Sequence, residues 1–83
     1  MIKFNHDKLK EKIMIIFNLY LKNPKNKQVK RMSKKIYNKY ANATPLLNKD
    51  MQYAVNILEE IGWGLSDEIR LQKNISRLIR KLV

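Results

Sequence analysis

The residues of this sequence best suited to chemistry are five cations near its end, Arg70, Lys73, Arg77, Arg80 and Lys81. At the turn of an α-helix they project within an arc of about 100°, opposite the apolar Leu71, Ile75 and Leu78. Guanidinium and ammonium groups so arranged hold oxyanions by charge and hydrogen bonds. A compact cationic stripe suits phospholipid head groups, an acidic protein or nucleic-acid phosphate, and the same pattern also describes the solvated outer face of a bundle helix. Trp63, between Gly62 and Gly64, and the adjacent Leu65 form a second candidate. A tryptophan at a helix corner either folds back over the end of the core or anchors the chain at a membrane or protein interface, where an apolar ring with one N–H donor is favoured.

Covalent and metal chemistry have little to work with. Cysteine is absent, which excludes disulfides and thiolate metal sites and fits a reducing cytoplasm. The single histidine, His6, reads as a polar residue at a helix start. Asp50, Glu59 and Glu60 fall beside, not on, the apolar stripe of their segment, where a solvated role is expected. Neither a glycine-rich phosphate loop nor a metal-ligand spacing occurs. The expectation is a protein that binds, with no enzymatic activity, no cofactor, no metal and no small-molecule substrate. Tyr37 and Tyr40 interleave with lysines as in a base-stacking platform, but their spacing groups them with Val29, Met32 and Ile36, which favours core packing.

Charge narrows the partners. Eighteen Lys and Arg face seven Asp and Glu, a formal net charge of +11, and no acid occurs between Glu11 and Asp50. Such a field attracts polyanions, either nucleic acid or an anionic membrane face, although a lysine-heavy composition also serves solubility alone. The apolar run Ile13-Met14-Ile15-Ile16-Phe17 is far short of the ~20 residues that span a bilayer, so a soluble chain that is not exported is expected.

These side chains need elements to carry them. With 45% hydrophobic residues and only two glycines and two prolines, the chain implies long regular segments in one domain over 1–83. Leu9, Ile13, Ile16, Phe17 and Tyr20 mark one face of a helix over about 5–22, widened by Met14, Ile15 and Leu19, with Asn5 or Asp7 as cap and Asn23-Pro24 as stop. Val29, Met32, Ile36, Tyr37 and Tyr40 predict a second helix over about 26–41 with a broad basic face. Thr44 as N-cap and Pro45 in the first turn predict a third over about 45–61. Its stripes are Leu47, Met51, Ala54, Leu58 and Ile61, and beside them Leu46, Tyr53 and Ile57, with Gly62 as the left-handed residue after its end. Ser66 caps a fourth over about 66–82, with Asp67 and Glu68 in its first turn and Arg80 and Lys81 in its last. Short connections favour an all-α, antiparallel up-and-down four-helix bundle.

In size, basicity and helical order the sequence resembles the immunity proteins of the pediocin-like bacteriocins, the enterocin A immunity family. The local likeness lies in Thr44-Pro45-Leu46-Leu47, in Leu58 followed by Ile61-Gly62, and in Leu65-Ser66, Leu71-Gln72, Ile75 and Leu78. The resemblance implies a cytoplasmic four-helix bundle that protects a producing bacterium from its own pore-forming peptide. It implies action at the inner face of the membrane, on a complex of bacteriocin and mannose-permease receptor, with the C-terminal half setting specificity. Carried over, that half includes Trp63, Leu65 and the stripe from Arg70 to Lys81. Members of the family continue into a tail beyond helix four, whereas this sequence ends at Val83. The alternative is a small basic nucleic-acid-binding regulator. A helix-turn-helix reader fits poorly, because the third helix carries Lys49 against Asp50, Glu59 and Glu60 and would enter a groove with net negative charge.

Overall fold

Proline and asparagine set the first boundary. The computed structural model describes residues 6–83, and α1 (His6–Lys22) ends where Asn23-Pro24 forbids another turn. Of its suggested caps, Asn5 lies outside the described residues, while Asp7 is helical, in the first turn. Asn26 then accepts a hydrogen bond from the Gln28 amide at 2.8 Å and caps α2 (Lys27–Tyr40). Helices α3 (Lys49–Trp63) and α4 (Glu68–Leu82) complete the fold, and no strand occurs among the described residues. Their radius of gyration, 11.9 Å, matches the roughly 12 Å of a single compact body of this length.

The core is built from the stripes of all four helices. Leu9, Ile13, Ile16, Phe17 and Tyr20 of α1 are buried against Val29 and Ile36 of α2, Met51, Ala54, Leu58 and Ile61 of α3, and Leu71, Ile75, Leu78 and Leu82 of α4. Three apolar residues assigned inward by periodicity point outward: Ile15 is 49% exposed, Tyr53 48% and Leu46 70%. Val55, on neither of the expected stripes of α3, is fully buried. Tyr37 and Tyr40 are only partly buried and pack at the edge of the core.

The start of α3 differs from expectation. Residues Ala41–Leu46 form a 3-10 helix that contains Pro45, and the Thr44 hydroxyl donates to the Ala41 carbonyl instead of capping a following helix. Leu47 is extended, and Asn48 is the cap, accepting from the Met51 amide at 2.9 Å. A threonine hydroxyl that closes its own turn is no longer free to serve the next one. At α4 the cap is Asp67, which accepts from Ile69 N at 2.8 Å, while Ser66 donates to Glu60 Oε1 at 2.7 Å. The helix therefore begins at Glu68, not 66.

The end of α3 also moves, by two residues, from 61 to Trp63. Gly62 is helical and buried, and Gly64 takes the left-handed conformation at φ 63°. Leu65 N donates to the Glu60 carbonyl at 3.1 Å, the six-residue closure of a helix that ends in this way. Gly62 answers to a different constraint, because a Cβ built there would lie 2.8 Å from Lys34 Cγ and 3.2 Å from Lys34 N. Helices α2 and α3 thus approach each other through missing side-chain atoms, and Ser33, small and fully buried, belongs to the same helix of that pair. The Ser33 hydroxyl has no hydrogen-bond partner among the described residues, at a cost of roughly 1–3 kcal/mol.

Replacing Gly62 with Ala is expected to lower stability. The helical preference for Ala contributes roughly 1 kcal/mol in its favour, but overpacking against backbone costs about 1–3 kcal/mol and prevails. Urea unfolding of Gly62→Ala should show a lower midpoint with an unchanged slope; a higher midpoint would mean that α2 yields without penalty.

Candidate binding surface

Helix α4 separates its faces cleanly. Its buried residues recur at three and four positions, and Arg70, Lys73, Arg77, Arg80 and Lys81 are all exposed on the far side. Ile69, 63% exposed, lies at the edge of this face and lines a shallow depression with Lys73, Arg77 and Arg80. The stripe therefore combines cations with a single exposed apolar side chain.

Arg77 and Lys81 also face a second element. With Asn74 and Leu78 of α4 and Lys49, Asp50 and Tyr53 of α3 they line a cleft of about 360 Å³. Sequence reasoning placed Arg77 and Lys81 on the stripe but did not join them to Lys49, Asp50 and Tyr53. The available signal was the i, i+4 spacing of Lys49 and Tyr53, read against the i, i+3, i+7 spacing of Asn74, Arg77 and Lys81.

Trp63 has a different setting. It is not in the connection but in the last turn of α3, 44% exposed, and its ring meets Tyr37 edge-on at 5.5 Å between centroids. Lys34 Nζ stands 5.7 Å from the ring centre, within range of a cation–π contact. The ring leans on α2, and Trp63 lines neither of the two depressions occupied by the cations of α4. Leu65 follows the left-handed Gly64 and is 62% exposed.

Two phenols have altered acidity. A hydrogen bond to Glu59, with burial and the Glu59 charge adding to it, raises the Tyr37 pKa above its ordinary value. Burial, followed by the negative charges of Glu68 and Asp67, raises that of Tyr20 above 10.0. A raised folded-state pKa means that the folded chain holds the proton more tightly than the unfolded one. The stability linked to Tyr20 is thus fully present below pH 10 and is lost as pH rises through the folded value. The thermal midpoint is expected to fall above pH 10, and Tyr20→Phe should shallow that fall; an identical alkaline profile in the variant would remove Tyr20 as its cause.

Among the described residues no cluster of His, Asp or Glu could hold a metal ion, and no helix is long and apolar enough to cross a membrane. No family model, curated protein or solved structure matches this chain.

Proposed function

We propose that the chain is an immunity-type binding protein, peripheral at the cytoplasmic face of the membrane. In this reading it protects its cell from a pediocin-like pore-forming peptide by engaging the complex of that peptide with its mannose-permease receptor. The observation that carries the reading is the wholly exposed cationic face of α4, with Ile69 at its edge, on a helix whose opposite face is locked into the core. Trp63 and Leu65 add exposed apolar surface at the preceding helix end. The acids at that end of α3 are engaged locally, Glu59 with Tyr37 and Glu60 with Ser66, which suits a binder better than a catalyst.

The reading takes the four helices as an antiparallel up-and-down bundle. Support comes from a cleft lined by Tyr20 at the end of α1, Lys27 and Lys30 at the start of α2, Ile61 at the end of α3 and Leu71 at the start of α4. The cleft that joins Lys49 to Lys81 lies between the other ends of α3 and α4.

Expression in a sensitive strain tests the proposal. Survival should rise against at least one peptide of a pediocin-like panel, and cells as sensitive as the empty-vector control to every peptide would count against it. One observation favours nucleic acid instead: α2 carries Lys27, Lys30, Arg31, Lys34, Lys35 and Lys39, all exposed, and no acid. That alternative requires a gel shift whose affinity falls steeply between two salt concentrations. No shift at low salt with duplex or single strand would remove it.

A further inference from the structure

The cleft between the start of α3 and the end of α4 draws charged side chains from two helices into one concavity. Lys49 and Asp50 enter from α3 with Tyr53 one turn later, while Asn74, Arg77 and Lys81 enter from α4. Three cations from two helices face one carboxylate, so the cleft carries an excess of two positive charges. Holding like charges around a shared concavity is unfavourable until an anion fills it. Its volume of about 360 Å³ is at the lower end of small-molecule sites.

We propose that this cleft binds a phosphate ester that carries a free hydroxyl. A phosphate monoester has nearly two negative charges at neutral pH and three acceptor oxygens, which match the excess charge and let donors from both helices act at once. Arg77 supplies a planar fork, and Lys49 and Lys81 supply point charges from opposite walls. Asp50 adds an acceptor to the lining, to which a ligand hydroxyl can donate once the phosphate engages the three cations. The half-exposed ring of Tyr53 and the side chain of Leu78 give the carbon skeleton an apolar wall. The site goes beyond the proposed immunity function and does not depend on it.

The test uses the full chain, uniformly labelled with nitrogen-15, titrated with glycerol 3-phosphate and separately with inorganic phosphate at constant ionic strength. Saturable amide shifts are expected at Tyr53, Asn74 and Arg77, with glycerol 3-phosphate bound more tightly than phosphate. Arg77→Gln and Lys49→Gln should each weaken binding about tenfold, the effect of losing one charge-assisted contact. Lys49 is outside the α4 stripe, so its variant separates the cleft from the stripe. Asp50→Asn should narrow the preference for the ester over inorganic phosphate. Vesicles containing lysophosphatidic acid, a phosphate monoester with a free hydroxyl, distinguish the source: release of bound chain by glycerol 3-phosphate identifies a lipid head group, and binding of the ester without such release identifies a soluble metabolite. Shifts that fail to saturate, that spread over the lysines of α2, or that survive both Gln variants unchanged would overturn the proposal. Cell survival is not read in this experiment, so its failure leaves the immunity reading standing, and failure in the survival assay leaves the cleft standing.

Discussion

Changing Arg70, Arg77 and Arg80 together to Glu is expected to release the chain from anionic vesicles and, under the function proposed above, to abolish protection in the cell. Three exposed cations become three anions, a change of six units against a starting net charge of +11. At about 1 kcal/mol for each cation close to an anionic surface, the loss is on the order of a thousandfold or more in partitioning. All three side chains lie outside the core, so the helical signal and the unfolding midpoint should change little. Co-sedimentation with phosphatidylglycerol vesicles measures the first effect. A triple variant that binds as the original does would show that the stripe is a solvated face, and a wild-type chain that ignores the vesicles but protects cells would place its contact on protein.

The largest expected effect on stability is at Phe17. The ring is fully buried in the core, on a helix that packs against each of the other three. Phe→Ala at such a site costs about 3–5 kcal/mol. A chain of this length has only about 4–12 kcal/mol in all, so Phe17→Ala should unfold early in urea or lack a folded baseline altogether. Ile15, two residues away and 49% exposed, provides the control. Ile15→Ser should move the midpoint by no more than about 0.5 kcal/mol. Similar losses in the two variants would contradict the orientation of α1.

What could be read from the sequence differed by element. Of the eight residues assigned to the face of α1, Leu9, Ile13, Ile16, Phe17 and Tyr20 are buried, because an amphipathic run fixes its own register, whereas Met14 and Leu19 are partly buried and Ile15 is exposed. The cations of α4 could be placed for the same reason. The boundaries of α3 could not. Thr44-Pro45 is a good helix start and an equally good 3-10 turn, and only the extended Leu47 followed by the Asn48 cap distinguishes them. The sequence favours Gly62 for the left-handed position that Gly64 occupies; the requirement at Gly62 is instead the close approach of Lys34, more than 25 residues away in the chain, which a local pattern does not reveal. The cleft was out of reach for a related reason. Its residues recur at helical spacing within each helix, as those of any helix face do, and their meeting depends on how α3 lies along α4.

The close seat of α3 on α2 has a bearing on the order in which the molecule comes apart. These two helices share the most extensive interface in the fold, drawn tight at Gly62 over Lys34. Their amides should exchange with solvent most slowly, as a cooperative unit that outlasts its neighbours. Helices α1 and α4 are held by smaller interfaces, so their amides are expected to exchange sooner. The helix that carries the cationic stripe is therefore expected to lose its amide protection before the α2–α3 pair does, at a free energy below that of global unfolding.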